Sequence, residues 1–128
     1  MLNQEVFCVK KDYSDYFYRQ IRSPKNPGSV PYNQGFHFFT GVGRYTGETT
    51  IDLFAFYEEL RVIENDSVIF HFPRGDFQKW IKETLGDNEL EDRIDKIDPQ
   101  QPQEKTKKEL IETMEARLVE LQTLANDP

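Results

Sequence analysis

The stretch Val68–Asp87, VIFHFPRGDFQKWIKETLGD, constrains the fold of this chain more than any other. An apolar run from Val68 ends near His71, and Pro73, Arg74 and Gly75 interrupt it. Proline fixes φ and glycine opens positive φ, so the pair marks a tight turn. Phe77, Trp80, Ile81 and Leu85 then recur at the spacing of a helix that buries one face. Asp76 stands where an N-cap belongs, with its carboxylate able to accept the first free N–H groups. Gly86 closes the unit. The expectation is a strand Val68–Phe72, a turn, and a helix Phe77–Leu85. His71, Arg74 and Asp76 then meet at a strand-to-helix junction, beside the only tryptophan.

Upstream, Phe36–Val42 is an aromatic-rich strand, and Gly41, Gly43 and Gly47 break the chain into a loop. Thr49 or Thr50 can cap the next helix, and Thr49 with Asp52 has capping-box spacing. That helix, Ile51–Ile63, carries Ile51, Phe54, Tyr57 and Leu60 along one stripe. Glu64–Asp66 is a turn. Strand, helix and strand make a β–α–β unit, parallel and right-handed if the two strands pair directly. Earlier still, Tyr16–Ile21 reads as a strand, although a helix through Phe7–Ile21 fits the spacing nearly as well. Ser23–Gln34 holds three prolines and a glycine and reads as a loop.

Downstream, a short helix Glu89–Ile97 turns Leu90, Ile94 and Ile97 inward. Asp98–Gln103 (DPQQPQ) is a hinge, and Glu104–Ala125 is the longest helical pattern in the chain. Ile111, Met114, Leu118, Leu121 and Ala125 form its stripe, which Leu110 and Leu124 widen. The fold class expected is α+β: a sheet of two to four strands covered by helices and followed by a long C-terminal helix. The expected division is an α+β domain over 1–98, a hinge at 99–103 and an amphipathic helix over 104–128.

Charge and cysteine narrow the functional classes. Sixteen basic against 23 acidic residues give a net charge of −7, which phosphate backbones and anionic membranes repel. Neither nucleic acid nor membrane is an expected partner. Cys8 is the only cysteine, so no internal disulfide forms. No charged start precedes an apolar run, and no apolar stretch approaches the roughly 20 residues that span a bilayer. The expected location is the cytoplasm.

The order of these pieces resembles an uncharacterised prokaryotic domain family. Its pattern is an aromatic strand ending in Thr-Gly, a capped helix, a Ser-x-x-x-His segment, Asp-Phe-x-x-Trp and a Leu-Gly-Asp close. The matching residues are Phe36–Gly41, Ser67–His71, Asp76–Trp80 and Leu85–Asp87. The resemblance spans about Phe36–Ile97 and implies no catalytic residue.

Four constellations can carry chemistry. At His71, Arg74 and Asp76, histidine can serve as acid/base or ligand, arginine as an anion clamp, and aspartate as the group that orients either. The bland alternative is a capped turn, with Asp76 bonded to helical N–H groups and His71 packed at a strand end. The glycine loop Gly41–Gly47, with Gly41, Gly43 and Arg44, lies where phosphate loops lie. Its GxGxxxG spacing matches neither the dinucleotide nor the Walker pattern, and a turn needing positive φ explains it as well. His37 and His71 could share a metal, but two histidines without Cys/His spacing are a poor ligand set, so no metal and no cofactor is expected. Trp80 could stack on a ring, yet its spacing with Phe77, Ile81 and Leu85 favours the core.

Two functions are expected in order. The first is a non-catalytic cytosolic binding or regulatory module, self-associating as a homodimer through Ile111, Met114, Leu118 and Leu121. The alternative is a small enzyme or sensor for a phosphorylated metabolite or sugar, held at the Gly41–Gly47 loop and the His71–Asp76 junction.

Overall fold

A computed structural model of the chain describes residues 29–125. The expected strand Tyr16–Ile21 and the first half of the expected loop Ser23–Gln34 lie outside them. The fold is α+β, with one antiparallel hairpin and five α-helices among the described residues.

A 3-10 turn at Tyr32–Gln34 leads into strand β1, Phe36–Phe39. Strand β2, Tyr45–Thr50, returns antiparallel, with Phe36 opposite Thr50, His37 opposite Thr49 and Phe39 opposite Tyr45. The glycine stretch is therefore a hairpin turn rather than a strand-to-helix loop. Thr40 N donates to Arg44 O and Arg44 N to Gly41 O, and Gly43 has φ +74°. Gly47 sits within β2. Thr49 and Thr50 belong to β2 as well, so neither caps the following helix. Asp52 does, accepting from Ala55 N at 2.8 Å through Oδ1.

Helix α1 spans Leu53–Val62 and α2 spans Asn65–His71. The second of these overturns the expected strand Val68–Phe72 and, with it, the parallel β–α–β unit. A continuous apolar run carries no alternation, so its period cannot separate strand from helix. Two polar side chains decide the matter in space. Ser67 Oγ donates to Phe39 O at 2.7 Å, and Phe39 N donates to His71 Nε2 at 2.8 Å. Ser67 and His71 stand four residues apart, one helical turn, so they reach both backbone groups of one β1 residue. At this residue the helix supplies the partners that a third strand would have given.

Helix α3 covers Asp76–Glu83, α4 Asn88–Asp95 and α5 Gln103–Ala125. The core gathers Phe36, Phe38, Phe56, Leu60, Phe77, Ile81, Leu90 and Ile94 with Leu110 and Met114 of α5. Trp80 lies in the same core, its indole N–H donating to Gln34 O at 2.8 Å. Helix α5 packs on α1, α2 and α4. Leu110, Met114 and Leu118 are buried there, and Ile111 and Leu121 are partly buried against them. Arg117 holds Asp87, the α4 cap, at 3.0 Å, and Arg93 grips Glu120 with two bonds of 2.9 Å. Lys107 donates to Ile63 O at the C-cap of α1.

Candidate functional site

The site grows from the residue that does not cap its helix. Gly75, at φ +79°, is the N-cap of α3 and makes no side-chain capping bond. Positive φ is open to glycine at little steric cost, which explains Gly75 at this turn. Asp76 is thereby shifted into the first helical position, and its carboxylate turns back toward α2. Oδ2 accepts from His71 Nδ1 at 2.8 Å and from Arg74 Nε at 3.0 Å. The expected cap is thus the centre of a polar relay.

The hydrogen bonds fix the state of His71. A backbone N–H can only donate, so Nε2 accepts from Phe39 and carries no proton. The proton sits on Nδ1 and is donated to Asp76. Both ring nitrogens are engaged, and the ring is 4 % exposed among Phe36, Phe70 and Phe77. Burial pushes its pKa below the ordinary histidine value, outweighing the Asp76 carboxylate, which acts the other way. His71 is a neutral linchpin between sheet and turn, without a free lone pair for a proton or a metal.

This arrangement makes an acid-sensitive joint. The unfolded chain binds the His71 proton near pH 6.5, while the folded chain resists it. Stability is therefore full above about pH 6.5 and falls as pH drops from there toward the depressed folded value. The slope attributable to this one group reaches at most about 1.4 kcal/mol per pH unit. Urea titrations between pH 5 and 7 should show that slope, and it should flatten in His71→Gln. An unchanged slope in the variant would assign the acid sensitivity to other groups.

Arg74 is held but not used up. Its guanidinium lies over the Phe70 ring, 4.5 Å from the centroid, and its Nε is tied to Asp76. Among the described residues, neither terminal nitrogen has a protein partner, and the side chain is 54 % exposed. Asp76 likewise leaves Oδ1 without one.

These groups line a cleft of about 370 Å³. Its walls are Phe36, His37 and Phe39 of β1, Gly41, Val42 and Gly43 of the hairpin turn, and Phe70, His71, Arg74 and Asp76 around the α2–α3 turn, with Gly35 at the edge. Five of the six residues expected to bind a ligand thus meet at one place. Arg44 lies in the hairpin turn and does not line the cleft. The sequence offers His37 only as a metal partner for His71. Here it pairs through Nδ1 with Thr49 Oγ1 at 2.7 Å, and Thr49 is 2.5 Å from Tyr45 Oη. Half-buried Phe39 and Phe70 and exposed Val42 lie in a strand, a helix and a turn that share no sequence spacing, so no local pattern marks them as one wall. Among the described residues, no group of three or more His, Cys, Asp or Glu side chains is placed to hold a metal ion.

Fold and site together define a small α+β protein with an aromatic-walled, arginine-bearing cleft against its hairpin. The chain belongs to a family of unknown function, DUF5752, whose model matches residues 33–127. No curated protein and no solved structure matches it. Among the described residues, no helix is long and apolar enough to cross a membrane.

Proposed function

We propose that the chain is a non-catalytic cytosolic binding module that takes a small ligand in the cleft between the hairpin and the α2–α3 turn. The observation that carries this reading is the Arg74 guanidinium. It is fixed by Asp76 and Phe70, and its two outer nitrogens are left without partners beside an apolar wall. A cleft of about 370 Å³ lies at the small end of the roughly 300–1,000 Å³ that ligand pockets occupy. With both nitrogens of His71 engaged, binding is better supported than acid–base chemistry at this residue.

The interaction reading ranks lower. A homodimeric coiled coil would need the α5 stripe at a surface, whereas Met114 and Leu118 lie in the chain's own core. Native mass spectrometry of the protein as purified separates the two. A monomer with a small-molecule adduct, lost in Arg74→Ala, is the expected result. A dimer without adduct would restore the helix reading, and an adduct-free monomer would count against both.

A further inference from the structure

We infer that the ligand is a zwitterion, a small α-amino acid with an apolar or aromatic side chain; this rests on the cleft being a binding site. The charge pattern of the lining carries the inference. Among the described residues, Arg74 and Asp76 are the two fully charged side chains along the cleft, adjacent and opposite in sign. Each spends one face on the other and keeps one free. Arg74 offers two N–H-bearing nitrogens in a planar fork, the geometry that takes a carboxylate with two parallel bonds. Asp76 Oδ1 offers an acceptor that suits an ammonium group. In an α-amino acid those two groups are joined through one carbon, so a single small head can meet both.

Net charge argues against the simpler anions. The Arg74–Asp76 pair sums to zero, and the whole chain carries −7. A phosphate dianion would meet one arginine, a flanking carboxylate and an acidic protein. A zwitterion brings no net charge and mirrors the dipole of the pair. The remaining walls supply the other half of the ligand. Phe39, Phe70 and the 86 % exposed Val42 present apolar surface next to the charged pair. Large apolar groups left at a concave surface mark binding sites more often than scattered exposure does.

The chain offers a built-in reporter. It has two histidines, His37 and His71, and both line this cleft. Every imidazole ¹⁵N resonance of labelled protein therefore comes from a side chain at the site. L-phenylalanine and L-leucine should shift both histidines saturably. Phenylalanine amide, which lacks the carboxylate, and N-acetylphenylalanine, which lacks the ammonium, should bind at least tenfold more weakly. Arg74→Ala should weaken binding at least tenfold. Arg74→Lys keeps the charge but loses the fork, and should not restore it. If N-acetylphenylalanine binds as well as the free amino acid, or inorganic phosphate alone shifts the histidines, the zwitterion inference fails while the binding cleft stands. If no probe moves either resonance, the inference fails, and an adduct-free mass spectrum would then remove the binding reading as well.

Discussion

Trp80→Ala is expected to cost about 3–5 kcal/mol, a large share of the roughly 5–15 kcal/mol that holds a domain of this size together. The indole is 7 % exposed and touches Phe36 and Phe56, with ring centroids 5.8 and 5.3 Å apart. Truncation opens a cavity that these rings cannot collapse into without leaving Phe38 and Phe77. It also strips Gln34 O of its donor, releasing the segment that leads into β1. Chemical denaturation followed by circular dichroism measures the loss without relying on the deleted fluorophore. Trp80→Phe, which keeps most of the volume and removes the N–H, should lose far less. A Trp80→Ala protein melting near the wild-type temperature would remove Trp80 from the core.

Deleting residues 103–128 is expected to abolish cooperative folding rather than merely change the state of association. Leu110, Met114 and Leu118 are 1 %, 0 % and 4 % exposed, packed with residues of α1, α2 and α4. At about 2–5 kcal/mol for each buried aliphatic side chain reduced to alanine, three such losses together reach the whole stability of a domain. The deletion also removes the Arg117–Asp87 ion pair and the two-bond grip of Arg93 on Glu120, which tie α5 to α4. The measurement is the sigmoidality of the thermal melt, with Met114→Ala as the mild companion at about 2–5 kcal/mol. A soluble, cooperatively melting truncation would show that α5 is dispensable to the fold and free to serve a partner.

The longest periodic signals were legible in sequence. The faces of α1, α3, α4 and α5 follow from where Phe54, Phe77, Leu90 and Met114 recur, because a helix repeats every 3.6 residues whatever surrounds it. Short elements were not legible. Strand β2 reads TGETT after its tyrosine, with little apolar residue to mark an inward face. Backbone pairing to β1 holds it, and its β-branched threonines, which equally suit a helix cap, are the only local sign of a strand. Val68–Phe72 is apolar but for His71 and carries no period that separates strand from helix.

The candidate site divides along the same line. Sequence alone placed His71, Arg74 and Asp76 within six residues and read Gly41–Gly47 as a loop; that this loop is a hairpin turn facing them is a tertiary result. Sequence also determined an acidic α+β chain whose C-terminal helix must bury its stripe. Tertiary structure decided what covers that stripe, that Asp76 bonds a histidine instead of a helix end, and that His71 binds the backbone of Phe39, 32 residues away. Those choices rest on hydrogen bonds and contacts between segments remote in sequence. Local spacing fixes which face of an element is apolar; the packing of the other elements fixes what that face, and each polar group on its rim, will meet.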